Sequence, residues 1–228
     1  MAILDLRDIR KEYQKDEKKV EALRGIDLTI EKGEFLSVVG PSGSGKTTLL
    51  NIIGCLDTPS TGSVIYNGRE LGRMSEGELS QYRKDNIAFI FQSYNLIPVL
   101  TVQENVELPL VIQRKQSRTE IAAKAAEVIA AVGLAGMEGR RPRELSGGQE
   151  QSVAIARALV KDPIVVLADE PTANLDSRTA EDIIALMETM NRERHTTFLF
   201  STHDKRMEDH ARRVILLKDG AVASDERK

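Results

Sequence analysis

Residues 35–56, "FLSVVGPSGSGKTTLLNIIGCL", constrain this chain more than any other stretch, because three kinds of backbone must follow one another without a pause. Phe35 to Val39 reads as a strand buried on both faces, and from Lys46 the apolar residues recur at helical spacing. Between them stands a glycine-rich turn that fits G-x-x-x-x-G-K-S/T from Gly40 to Thr47. In that pattern the glycines let successive backbone N–H groups turn inward around phosphate oxygens. The helix N-terminus adds about half a positive charge, and the lysine reaches the β- and γ-phosphates. Gly40, Ser42, Gly43, Ser44, Gly45, Lys46, Thr47 and Thr48 are therefore the expected phosphate contacts, with Thr47 also placed to ligate Mg²⁺. A chance match in a chain this long is on the order of one in a hundred at average glycine usage, and the flanking strand and helix lower that further.

The remaining pattern surrounds this unit with an α/β fold built on a mostly parallel sheet. "ILDLRDI" and "LRGIDLTI" alternate like an antiparallel arm, with a charged "QKDEKK" loop between them, and "GSVIYNGREL" adds a short strand with an Asn67-Gly68 turn. "NIAFIFQ" is a further buried strand. "TVQENVELPLVIQ" and "RTEIAAKAAEVIAAVGL" then carry helical periodicity, with Gly133 as a stop, so residues from about 93 to 159 read as a helical sub-lobe. "PIVVLADE", the helix "SRTAEDIIALMETMNRE", the strand "TTFLFST" and a last strand "RVILLKDG" complete an alternation that means a parallel sheet covered on both faces. With 228 residues, one domain spanning 1–228 is expected, its arm and core drawn from 1–92 and 160–228.

Charge and composition exclude several classes of partner. A net charge of −3 gives no long-range attraction for nucleic acid or an anionic lipid surface. The charged N-terminal stretch "MAILDLRDIRKEY" lacks the apolar core of a signal peptide, and no apolar run approaches the roughly 18 residues of a membrane span. No direct membrane insertion is expected. The single cysteine, Cys55, fits a reducing cytosol and core packing. His195 and His210, in charged helical surroundings, read as capping or packing residues.

Chemistry concentrates at predicted strand ends. "VVLADE" ends a buried strand in two carboxylates: Asp169 is placed to hold Mg²⁺, and Glu170 to orient and deprotonate a water, which implies hydrolysis. His203 follows "FLFST" at the edge where ligands bind in open α/β sheets, and could donate to a terminal phosphate. Gln92 ends "IAFIF" with an uncharged amide that can contact Mg²⁺ or the attacking water. A second glycine-rich helix start, Ser146, Gly147, Gly148 and Gln149, opens the helix "QEQSVAIARALV" and offers another positively polarised end. It belongs to the helical lobe, whereas the first loop sits on the sheet. Two copies placed head to tail let each offer this end to the nucleotide on the other's loop.

With these residues in view, the chain resembles the nucleotide-binding subunits of ABC transporters over essentially its whole length. "GPSGSGKT" looks like Walker A, "FQ" ending at Gln92 the Q-loop, "LSGGQ" the ABC signature, "VVLADE" Walker B, "NLD" ending at Asp176 the D-loop, and "STHD" the switch histidine. The resemblance implies an ABC nucleotide-binding domain with a RecA-like core, ATP and Mg²⁺ as ligands, Tyr13 as the adenine-stacking aromatic of the arm, and Asp176 among the residues at the nucleotide. It also implies a homodimer closed around ATP, driving a membrane permease. "LDTPSTG", "FQSYNLIPVLTVQENVELPL" and "LADEPTANLDS" look most like the LolD and MacB group, whose ATPases pair with FtsX-like membrane subunits in lipoprotein release or in macrolide or peptide export. The resemblance places the chain in the cytoplasm, peripheral on the inner face of the membrane. "YNLIPVL" is where a permease would dock, or else it packs the helical lobe. One departure stands out: the signature is followed by Glu150, Gln151 and Ser152, where relatives usually carry an arginine third. The acid suits the helix dipole but brings negative charge toward the partner's ATP.

Rival readings are an importer ATPase for a small polar solute, a soluble ABC protein of DNA repair or translation, and a P-loop kinase outside the family. The chain shows neither the long coiled-coil insertion nor the tandem cassette of the second, and "LSGGQ" with His203 argues against the third.

Overall fold

A computed structural model describes residues 2–15 and 18–228. The chain runs β1 (Ala2–Lys15), β2 (Lys18–Glu31), β3 (Phe35–Val39), α1 (Lys46–Ile53), β4 (Thr61–Tyr66), β5 (Arg69–Glu70), α2 (Glu76–Asn86) and β6 (Ile87–Phe91). It continues through α3 (Val102–Gln113), α4 (Arg118–Ala131), α5 (Gly147–Leu159), β7 (Val165–Asp169), α6 (Ser177–Arg194), β8 (Thr197–Ser201), α7 (Lys205–His210), β9 (Arg213–Lys218) and β10 (Ala221–Arg227). Two sheets result. An antiparallel arm has the order β2-β1-β4-β5, and a six-stranded sheet has the order β10-β9-β3-β8-β7-β6. All neighbours in the larger sheet are parallel except β10 on β9.

The larger sheet is apolar on both faces because each face has its own core. Along β7, Val165 and Leu167 point to one side and Val166 and Ala168 to the other; along β3, Leu36 and Val38 oppose Phe35. The first side packs against α1 and the arm through Leu49, Leu50, Ile53, Leu6, Ile9 and Ile26. The other packs against the helices of 102–159 and α6, with Phe35 edge-on to Phe200 at 4.6 Å between ring centroids. The period-2 alternation of strands thus places both sets of side chains in contact at once, which explains why these strands read as continuous apolar runs.

Capping chemistry sets where the helices begin. Ser75, Thr101, Ser117 and Ser146 each form a reciprocal capping box with the glutamate or glutamine three residues on. The first of these starts α2, a helix the apolar pattern does not announce because only Tyr82 of it is buried. The arm also differs from expectation: β1 and β2 pair out to Lys15 and Lys18, so most of "QKDEKK" is strand, with Asp16 and Glu17 outside the described residues. After β9 the chain does not stop. Asp219 and Gly220, with φ of 48° and 81°, make the left-handed turn of a hairpin and return the chain as β10. Cys55 is buried, and burial pushes its thiol up to about 11.

Candidate functional site

The parallel strands β3, β7 and β8 end side by side, with Asp169 paired to Ser201 and to Phe91 of the neighbouring strand. The phosphate loop leaves β3 at this edge. Its shape depends on close approach: a Cβ on Gly40 would lie 2.1 Å from the Leu217 carbonyl oxygen, and one on Gly45 would lie 2.7 Å from that of Ala22. Both also have φ in the left-handed half of the map, at 150° and 103°. Lys46 folds back over the loop, donating from Nζ to the carbonyls of Gly40 (2.7 Å) and Pro41 (3.1 Å). Gly45 caps α1 without any side-chain acceptor, and no acidic residue stands in the first turn. The hydroxyl of Ser44 is buried with no hydrogen-bond partner. An uncapped helix end, an orphaned hydroxyl and a lysine ammonium folded over the loop together suit a polyphosphate.

Asp169 sits beside this loop. Burial pushes its carboxyl up, and the Lys46 ammonium and the Thr47 hydroxyl, which oppose that shift, lie beside it. Glu170 follows in a left-handed conformation (φ 49°), its amide held by the Ser201 carbonyl at 2.9 Å. Its carboxylate is gripped at both oxygens: Thr202 Oγ1 donates to Oε2 at 3.1 Å, and His203 Nδ1 lies 2.7 Å from Oε1. The His203 side chain is 77% exposed, which leaves Nε2 facing solvent. Gln92 is exposed just past β6, and its carbonyl accepts from Asn174 Nδ2 at 2.9 Å.

The other glycine-rich helix end lies among different neighbours. Ser146 caps α5: its hydroxyl accepts from the Gln149 amide (3.4 Å) and its own amide donates to Gln149 Oε1 (3.0 Å). A Cβ on Gly147 would lie 3.1 Å from the Tyr94 hydroxyl, and one on Gly148 would lie 2.4 Å from Thr179 Cγ2. Thr179 in turn bonds to Asp176, whose carboxylate caps α6 and is held below the usual range by those contacts. Asp176 and the Ser146–Gln149 end are thus neighbours. Among the described residues, no hydrogen bond joins them to the Gly40–Thr48 loop. Burial also pushes the Glu150 carboxyl up.

Tyr13 is on the arm, 39% exposed, with the Thr48 side chain of the phosphate loop close to its hydroxyl. Its hydroxyl donates to Asp57 Oδ2 at 2.8 Å, and Lys11 Nζ lies over its ring, 5.0 Å from the centroid. Sequence reasoning passed over four residues that hold these groups in place. They are Asp57 behind Tyr13, Asn174 behind Gln92, Thr202 behind Glu170, and Arg157, whose guanidinium donates to the carbonyls of Tyr94 (2.6 Å) and Asn95 (2.5 Å). Each acts across 32 or more residues of chain, a separation at which no local motif gives a signal.

A family model described as "ABC transporter" matches residues 23–173. An ABC transporter ATP-binding protein of Thermotoga maritima is 45% identical, with 99% of this chain and 96% of that protein covered. The lipoprotein-releasing system ATP-binding protein LolD 1 of Rhodopseudomonas palustris is 44% identical (97% and 98% covered). The macrolide export ATP-binding/permease protein MacB of Bdellovibrio bacteriovorus is also 44% identical, but the chain spans only 34% of its length. Among solved structures, the ATP-binding cassette MJ0796, in a dimeric post-hydrolysis state bound to ADP and Pi, is 43% identical with a TM-score of 0.89, 98% of each chain being covered.

Proposed function

The chain belongs to the ABC transporter family, and from that premise we propose that two copies close head to tail around two ATP molecules. Each copy supplies the phosphate loop of one site and the Ser146–Gln149 helix end of the other. The activity is ATP hydrolysis. Lys46, Thr48 and the loop amides of Gly40 to Gly45 bind the phosphates, and Thr47, Asp169 and Gln92 present the hard oxygen ligands that suit Mg²⁺. The metal, when bound, supplies neutralising charge to the β- and γ-phosphates.

Glu170 is the general base. Thr202 and His203 hold its two oxygens, so the carboxylate that takes a proton from water is aimed rather than free to rotate. With Nδ1 against Glu170, the exposed side of the His203 ring presents Nε2 for a hydrogen bond to the terminal phosphate. The observation that carries this reading is the two-handed grip on Glu170 at the same sheet edge where Asp169 meets Thr47 and Lys46. Tyr13 stacks on the base, and Ser146 with Gly147 and Gly148 completes the partner's site.

The force is delivered to a separate membrane permease of the FtsX-like class, which holds the ATPase at the inner face of the cell membrane. Among the described residues, no helix is long and apolar enough to cross a bilayer. Exposed Leu56 and Ile112 line a groove of about 370 Å³ together with Phe89, Pro109, Arg83 and Arg157, and Ile97, Val99 and Val111 are also exposed. Exposed apolar side chains beside a groove suit a protein partner. Asn105, fully buried, fixes the adjoining turn through Ile97, Leu100 and Thr101. The LolD and MacB relatives favour lipoprotein release or export as the work done.

Substitution of Glu170 by glutamine tests the proposal. The variant should bind ATP, lose turnover and accumulate as closed dimers in gel filtration with ATP. A variant that stays monomeric at saturating ATP contradicts the composite site.

A further inference from the structure

A ring that stacks on a nucleotide base must be held at a set distance from the loop that grips the phosphates, and in this chain the two lie on different sheets. Tyr13 is in the outer half of the β1–β2 hairpin. β1 is supported by β4 only as far as Arg10, which pairs with Thr61; beyond it, residues 11–15 pair with β2 alone. A two-stranded ribbon of this kind frays and twists unless something ties it down.

The tie is Asp57, four residues beyond the end of α1, the helix that starts at the phosphate loop. Its carboxylate collects three donors: Lys11 Nζ on Oδ1 at 2.6 Å, the Thr58 amide on Oδ1 at 2.7 Å, and the Tyr13 hydroxyl on Oδ2 at 2.8 Å. Lys11 is only 12% exposed and donates a second time, to the Thr58 carbonyl at 2.7 Å. The same ammonium backs one face of the Tyr13 ring. One carboxylate therefore fixes the ring at its hydroxyl and, through Lys11, across one face, leaving the opposite face for a flat ligand. Ser60 secures the strand between them, accepting from the Glu12 amide at 3.0 Å and donating its own amide to the Arg10 carbonyl at 2.8 Å. The hydrogen bonds from Lys11 and Tyr13 hold the Asp57 carboxyl below its ordinary range despite partial burial, so it stays charged at neutral pH.

We infer that Asp57, with Lys11, is a positioning residue for nucleotide binding: it locks the Tyr13 ring to the exit of the phosphate-loop helix, so that base and triphosphate are gripped at a fixed spacing. The inference rests on the proposed stacking role of Tyr13. Its signature is an effect confined to ligands that carry a base.

The test measures binding of ATP and of inorganic tripolyphosphate, a base-free probe, to the full chain carrying Tyr13→Ala, Asp57→Ala or Asp57→Asn. Losing a base–aromatic stack weakens binding by about 5- to 150-fold, which bounds the Tyr13→Ala effect. Asp57→Ala should weaken ATP by about tenfold, raise KM rather than lower kcat, and leave tripolyphosphate within about twofold. Asp57→Asn, which keeps an acceptor for the hydroxyl, should recover most of the affinity. If Tyr13→Ala weakens ATP while both Asp57 variants bind it normally, the positioning role is overturned and the stack survives. Equal losses for ATP and tripolyphosphate in Asp57→Asn would overturn it too, because the effect would then run through the phosphate loop. No loss of ATP binding in Tyr13→Ala would instead remove the stack itself.

Discussion

Replacing Arg157 with methionine removes a side chain that ties the last turn of α5 to the segment after Gln92 while keeping most of its apolar stem. The guanidinium makes two charge-assisted hydrogen bonds, to the carbonyls of Tyr94 and Asn95, and burial lowers its pKa without neutralising it. Bonds of this kind contribute about 1.5–3 kcal/mol each, so about 4.5 kcal/mol is lost for the pair. Tyr94 and Asn95 are both left-handed, at φ of 55° and 52°, and once released they relax and return about 1–2 kcal/mol. The net expectation is a destabilisation of about 3 kcal/mol. In a chain of this size that lowers Tm by about 6–12 °C. Urea unfolding followed by far-UV circular dichroism, with the thermal midpoint as a check, measures it. Arg157→Lys, able to reach one carbonyl but not to fork between two, should fall about halfway. A loss below about 1 kcal/mol for Arg157→Met would mean that the turn after Gln92 is held by its own packing, and the argument from the two bonds would be refuted.

Other consequences are as direct. Ser146→Ala removes a cap whose bond to Gln149 is already long, so stability should fall by no more than about 1 kcal/mol. Turnover should nonetheless fall at least tenfold, and an assay across a dilution series reads both effects; unchanged turnover would contradict the shared site. Asp225 is held below the usual carboxylate range chiefly by its hydrogen bonds from Arg213. Its contribution is thus complete above the unfolded carboxylate value near 4 and disappears as pH falls through the lower folded value. Urea midpoints at pH 6 and pH 3 should differ less in Arg213→Met than in the parent. Cys55, buried and with its thiol near 11, should resist iodoacetamide at pH 7.5 in the folded chain and react fully in urea. Rapid labelling under native conditions would place the thiol at the surface.

The local devices of this protein can be read from residues close together in the chain. Gly40 to Thr47 specifies a loop because glycines, lysine and threonine act within eight residues. The apolar alternation of "PIVVLADE" and "FLFST" marks strands whose ends carry Asp169, Glu170 and His203. The capping box at Ser75 shows the limit of such reading. Its pattern is local and visible, yet α2 buries so little that no periodicity confirms it. "RVILLKDG" reads as a last strand, and only the structure shows that Asp219 and Gly220 turn the chain back as β10.

What the sequence by itself determined is which residues are candidates for chemistry and which kind of element each stands on, since both are read from patterns within about ten residues. Only the tertiary structure decided what holds those residues still. Thr202 and His203 grip Glu170 because β7 and β8 end in register, Arg157 reaches Tyr94 because α5 packs beside β6, and Asp57 meets Tyr13 because an arm from one sheet lies against the helix of another. The reason is physical: a hydrogen bond between side chains 30 to 60 residues apart depends on how whole elements pack, and packing is a property of the assembled cores rather than of any segment.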